Sequence, residues 1–182
     1  MSSKIRSCTK EDAQVLGEII RRSFRDVAER FGLTQENAPR HPSNCTADWI
    51  RKDMERGVNY FAIENADHVV GCVALERANR DVCYLERLAV LPDHRRRGFG
   101  KAMVDHVLSE AKRLGVNCVS IGIMAEYTEL KDWYRRLAFV EEGSKEFRNL
   151  PFGVTIMSYG IKASCRQRAP ADAIERVSDL CR

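Results

Sequence analysis

No apolar run in this chain approaches the roughly 18–20 uninterrupted residues that a membrane-crossing helix needs. The first residues, Met1-Ser2-Ser3-Lys4-Ile5-Arg6, carry no apolar signal-peptide core. A cytosolic protein with no membrane partner is therefore expected. The seven cysteines are odd in number, and no two stand at Cys-x-x-Cys spacing. That argues against a disulfide framework and a zinc site, so no metal is expected. Several sit in apolar runs, as Cys72, Cys83 and Cys118 do, which suits small buried hydrophobes. There is no internal repeat and no low-complexity segment. Acidic runs that would mark a polyamine or histone-tail groove are also lacking. A net charge of +4 is too mild to imply nucleic acid.

The 182 residues suffice for one domain with a substantial core. Period-two and period-3.6 patterns alternate along the chain. Residues 3–8 read as a strand. Thr9 with Asp12 has the spacing of a capping box, and Ala13, Leu16, Ile19, Ile20, Phe24 and Val27 then repeat at helical intervals. Thr46 is placed to cap a second helix over 47–56, stopped by Gly57. Three strands follow over 59–64, 68–77 and 82–90. Their turns are short, so they are expected to be antiparallel neighbours. A helix over 99–114, a strand over 117–123, a helix over 130–137 and strands over 139–146 and 153–159 complete the pattern. This order predicts an α/β (α+β) domain over 1–160, with a mixed, mostly antiparallel sheet of six to seven strands and helices on both faces. Residues 161–182 lose the pattern, apart from one amphipathic stretch over 172–181.

The segment between strand 82–90 and the following helix concentrates the chemistry. It reads Pro92-Asp93-His94-Arg95-Arg96-Arg97-Gly98-Phe99-Gly100-Lys101. A helix start leaves its first N–H groups unpaired and carries the positive end of the helix dipole. Together these form an anion site. Gly98 and Gly100 let the backbone approach a diphosphate closely, and Arg95, Arg96 and Arg97 add guanidinium donors. A dinucleotide fingerprint would need a third glycine where Met103 stands. A nucleoside-triphosphate loop would need a hydroxyl after Gly100-Lys101, where Ala102 stands. A basic connector punctuated by glycines is the plain competing assignment.

The order of strand, proline, Arg-x-x-Gly-x-Gly and amphipathic helix resembles the GNAT acetyltransferase superfamily. Arg95, Gly98 and Gly100 match its cofactor loop. Downstream, Tyr134 and Phe139 match a helix tyrosine and the strand opening after it, while Ala138 stands where the family usually has glycine. Tyr127 takes the place of an asparagine that family members often carry. The resemblance spans about residues 4–160. It implies acetyl-CoA as cosubstrate, with its pyrophosphate on Arg95, Arg96, Arg97, Gly98, Phe99, Gly100 and Lys101. Its pantetheine arm would pair with the backbone of Leu88, Ala89 and Val90 like an added strand. Direct attack by a primary amine is implied, with Tyr134 as the acid at the leaving thiolate. Glu86 is the candidate base. Its competing assignment is an ion pair with Arg87 or Arg77.

A small-molecule amine is the expected acceptor, and the resemblance implies a homodimer. Phe24, Phe31, His41 and Trp49 would form one acceptor wall and the turn 147–152 the other. The alternatives are a protein N-terminal or lysine acetyltransferase and a non-catalytic acyl-CoA-binding module. A cysteine nucleophile at Cys83 is not expected, because no histidine lies near it in sequence.

Overall fold

The computed structural model describes residues 3–148 and 150–162. The helix expected over 172–181 lies outside the described residues. Strand β1 (Lys4–Ser7) leads to Thr9, whose N–H donates to the Asp12 carboxylate at 2.9 Å. That contact is part of the expected capping box, which starts a 3-10 turn that runs into α1 (Ala13–Arg30). Thr46 caps α2 (Ala47–Glu55) by accepting the Trp49 N–H at 3.3 Å. Gly57, at φ 91°, takes the left-handed turn that ends it.

The central meander is β2 (Asn59–Asn65), β3 (His68–Arg77) and β4 (Val82–Val90). Ala66 and Asp67, both left-handed, make the two-residue turn whose twist suits a hairpin. Beyond β4 come α3 (Phe99–Arg113), β5 (Cys118–Met124), α4 (Thr128–Arg136), β6 (Val140–Glu146) and β7 (Gly153–Gly160). Helix α4 begins two residues before the expected start.

The seven strands form one sheet in the order β1-β2-β3-β4-β5-β7-β6. All neighbours are antiparallel except β4 and β5. The mixed sheet is therefore as the element order predicts. The insertion of β7 between β5 and β6 is not written in the local pattern. It leaves β6 as an edge strand with all seven residues exposed.

Alternation along the strands divides the core into two layers. Val73 and Leu75 face Met103, Val104 and Val107 of α3. Cys72 and Ala74 face Leu16, Ile19 and Ile20 of α1. One face thus carries α1 and α2, and the other packs against α3 and α4.

Candidate active site

Strand β4 begins as a regular member of the sheet and then departs from it twice. Its pairing with β5 covers only Val82↔Cys118, Cys83↔Val119 and Tyr84↔Ser120. Beyond Tyr84 the two parallel strands separate, which leaves one edge of β4 without a partner strand. Leu91 N–H donates to Val70 O at 2.9 Å, and Arg95 Nε donates to the Val90 carbonyl at 3.2 Å. Val90 therefore turns its own polar groups away from β3 and toward the gap, and by alternation so does Leu88.

The second departure is a bulge. Cys72 pairs with Ala89 and Ala74 with Glu86, so two residues of β4 oppose Val73 alone. Arg87 absorbs the extra length at φ 50°. In a regular strand, Glu86 and Arg87 would point to opposite faces. Here Glu86 pairs in register with Ala74, which faces the α1–α2 layer. Arg87 reaches the same layer, where Nη1 donates to Asp53 of α2 and to the Tyr60 hydroxyl.

Asp53 is shared. Its other oxygen accepts from Arg56 at 2.5 Å, it also accepts the Tyr60 hydroxyl at 2.7 Å, and Arg56 lies 3.6 Å from buried Glu76. Burial pushes the Tyr60 hydroxyl well above its ordinary pKa and holds Arg87 below that of a free guanidinium, with Arg40 adding repulsion. Arg87 Nη1 thus turns to Asp53, and Arg77 Nε donates to the Asn79 carbonyl.

After β4, a 3-10 turn over Pro92–His94 leads into the glycine loop. Arg96 (φ 60°) and Gly98 (φ 84°) are both left-handed. They turn the backbone sharply into the start of α3, where the first-turn amides have no intrahelical acceptor. Nothing lies within 4 Å of a Cβ built at Gly98, so glycine is needed there for conformation rather than space. Gly100 lies against Trp133, whose ring would be 3.5 Å from an added Cβ.

The loop's cations are not equivalent. Arg95 bonds Asp26 and the Ser23 carbonyl of α1, strapping the loop to that helix. Its hydrogen bonds, with its charge, hold the Asp26 carboxyl below the usual range. Lys101 is 2.6 Å from Asp105. Arg96 and Arg97 are exposed and have no ion-pair partner among the described residues.

The gap between β4 and β5 opens into a cavity of about 580 Å³. Leu88, Ala89, Val90, Arg95, Arg96, Gly98, Phe99, Gly100 and Lys101 border it, as do Glu86 and Tyr134. Arg97 does not. Tyr134 is buried between Trp133 and Phe139, with ring centroids at 4.8 and 5.2 Å, and burial raises its pKa above 10. It therefore holds its proton at neutral pH. Cys83 belongs to the layer packed against α3 and does not border the cavity, and burial pushes its thiol up to about 11, which leaves little thiolate.

Of the expected acceptor wall, Phe24 and His41 line the cavity, as do Leu150 and Phe152 from the facing turn. Phe31 and Trp49 do not. His41 contacts Phe24 edge-on and bonds Ser43 at 2.8 Å through Nδ1, and burial lowers its pKa to about 4. Tyr127 packs on Phe31 and under Arg30, which pairs with Glu129 at 2.8 Å, so α1 and α4 meet over the cavity mouth.

Sequence reasoning missed Asp53, Tyr60 and the outward use of Arg87. The available signal was Glu86-Arg87, two charged residues in the middle of an otherwise apolar strand.

The sequence profile of the acetyltransferase (GNAT) family matches residues 18–139. An uncharacterised N-acetyltransferase of Methanocaldococcus jannaschii is 26% identical over 144 residues, which is 76% of this chain and 61% of that protein. The chain thus spans less than two thirds of that relative's length. Among solved structures, yncA of Salmonella typhimurium, determined with its cofactor acetyl-CoA, superposes with a TM-score of 0.69 at 18% identity, over 93% of this chain and 98% of that one. The ribosomal-protein-S18-alanine N-acetyltransferase of Escherichia coli gives 0.71 at 16%, over 93% and 100%.

Proposed function

The chain belongs to the acetyltransferase (GNAT) family, and from that premise we propose that it transfers the acetyl group of acetyl-CoA to a primary amine of a small molecule, by direct attack and without an acyl-enzyme. The observation that carries this reading is the opening of β4 from β5 after three residue pairs, beside a helix N-terminus curled by Arg96 and Gly98. The open edge suits an extended amide-bearing chain, and the first-turn amides suit a pyrophosphate.

Acetyl-CoA supplies an acetyl group activated as a thioester. In this reading the amides at the start of α3, with Arg96, Arg97 and Lys101, hold the pyrophosphate. The N–H groups of Leu88 and Val90 hold the pantetheine arm, and one of them donates to the thioester carbonyl. The Glu86 carboxylate takes the proton of the acceptor ammonium, directly or through water. As the new C–N bond forms and the C–S bond breaks, the Tyr134 Oη proton passes to the departing sulfur, and the second proton lost by the nitrogen, relayed through water, restores the Tyr134 hydroxyl. Tyr134 is protonated at neutral pH and so has a proton to give. Arg95 acts mainly by holding the loop to α1. Residues 1–160 form the catalytic unit, acting as a homodimer in the cytosol.

Titration calorimetry with acetyl-CoA tests the cofactor site, comparing the parent with an Arg96→Glu, Gly98→Asp variant that remains folded. Micromolar binding by the parent, lost in the variant, is expected. Tyr134→Phe is expected to keep that affinity and lose about 10²-fold or more in kcat. No binding by a folded parent refutes the proposal. Binding with no turnover of any amine moves the reading to an acyl-CoA-binding module, and preference for a peptide amine moves it to a protein acetyltransferase.

A further inference from the structure

Two guanidinium groups line the acceptor half of the cavity. Arg40 lines it from the loop after α1, exposed, with its guanidinium 5.4 Å from the Trp49 ring and no ion-pair partner among the described residues. Arg87 lines it from the β4 bulge. Its hydrogen bonds to described residues all leave from Nη1, which Asp53 and Tyr60 hold. The Nε–Nη2 edge, the fork that matches a carboxylate in two parallel bonds, is not engaged by any described residue. Asp53 serves Arg56 as well, so it does not neutralise Arg87 alone. The charge of Arg40 adds repulsion at Arg87.

The bulge supplies the second half of the pattern. It sends Glu86 and Arg87, adjacent in sequence, into the same layer, so an acid and a guanidinium stand next to each other at one end of the cavity. Glu86 is near enough to add its negative charge to the field at the Tyr60 hydroxyl. An acid beside a guanidinium is the negative image of an ammonium beside a carboxylate. Phe24, Leu150, Phe152, Val154 and Ile156 give the remaining wall a large apolar part.

We infer that the acceptor is an α-amino acid with an apolar side chain, its carboxylate on the outer edge of Arg87 and on Arg40, its amine at Glu86, and its side chain against Phe24 and Phe152. The inference rests on the acetyl-transfer reading for the fate of the amine, but not for the recognition of the carboxylate.

Recognition is measured without turnover, by calorimetry on the full chain saturated with CoA. L-leucine, L-methionine and L-phenylalanine are each compared with their carboxamide and their decarboxylated amine. At least one acid is expected to bind about 10–100-fold more tightly than both analogues, the range for hydrogen bonds to a charged group. Arg40→Gln, at an exposed position, is expected to shrink that ratio about tenfold while leaving the affinity of the decarboxylated amine unchanged. Arg87→Lys, checked for folding by thermal unfolding, is expected to lower it further, because an ammonium cannot replace the fork. The inference is overturned if no acid outbinds its carboxamide, or if Arg40→Gln weakens acid and amine alike.

Thiol release from acetyl-CoA in the presence of each ligand separates the two claims. An acid that binds and is not acetylated sinks the transfer reading and leaves the carboxylate site standing. Acetylation of amines with no preference for acids does the reverse.

Discussion

Gly71 lies on β3 opposite Val90, outside the cavity, and a single methyl group there should disturb the cofactor strand. A Cβ added at Gly71 would stand 2.6 Å from the Ala89 carbonyl oxygen, 3.0 Å from the Met103 methyl and 3.2 Å from Ile63 Cγ2. Contacts below 3.0 Å essentially never occur for a real Cβ. The Met103 side chain is able to swing aside, but the Ala89 oxygen is backbone and moves only with β4. Restoring 3.0 Å requires a displacement of at least 0.4 Å, carried through the stretch that presents the Leu88 and Val90 amides. Overpacking of this kind costs about 1–3 kcal/mol. In a domain of this size, that lowers Tm by about 3–10 °C. Misplacement by 1 Å costs about 10²-fold in rate, so a shift near half that size is expected to weaken acetyl-CoA binding about tenfold.

Gly71→Ala, followed by thermal unfolding and calorimetry with acetyl-CoA, measures both effects. Gly100→Ala is the matched control, since its Cβ would meet Trp133 at an ordinary 3.5 Å and the position is helical. It should leave Tm unchanged or raise it slightly, by less than about 1 kcal/mol of stability. If Gly71→Ala melts and binds as the parent does, β4 is not held where the reasoning requires it.

Asp53→Ala removes the carboxylate that holds Arg87, Arg56 and the Tyr60 hydroxyl together. Breaking such a buried pair costs about 3–5 kcal/mol, and the outward edge of Arg87 places this case at the lower end; an unchanged urea midpoint would count against the cluster as a stabilising element. His41 gives a stability dependence on pH. Its folded pKa of about 4 lies below the ordinary 6.5, so the unfolded chain takes up the proton first. Its contribution is complete above pH 6.5 and is lost as pH falls toward 4, by up to about 3 kcal/mol. Urea midpoints at pH 7 and 4.5 should differ less in His41→Asn. The carboxyls of Asp12 and Asp26, lowered by Arg6 and Arg95, lose their contributions only below their ordinary 3.8.

The reach of the sequence can be judged residue by residue. Strands β3 and β4 occupy the spans expected of them, because Asn79-Arg80-Asp81 and Pro92 punctuate apolar runs at both ends. The start of α3 was legible because Gly98 marks a conformation that most residues avoid. The same conformation at Arg87 was not legible. Arginine carries no left-handed signature, and only the pairing of Cys72 and Ala74 with Ala89 and Glu86 forces it. The place of β7 in the sheet was hidden for a related reason, since period-two patterning tells which face is buried and not which strand is beside it. The triple arginine looked uniform in sequence, but the fold gives Arg95 to Asp26, leaves Arg97 off the cavity and puts only Arg96 at its rim without an ion-pair partner among the described residues.

The three residue pairs between β4 and β5 also bear on how the molecule comes together in time. Strands β2 to β4 follow one another through short turns, with low loop-closure cost, and they can associate as soon as Val90 has been synthesised. Strand β5 acquires its full partner only when Gly153–Gly160 arrives, after α4 and β6 have been made. The cleft is therefore the join between an early half and a late half of the protein. A cosubstrate lying along it would act as the missing rungs of the ladder, so that the step completing the sheet and the step filling the site become one event.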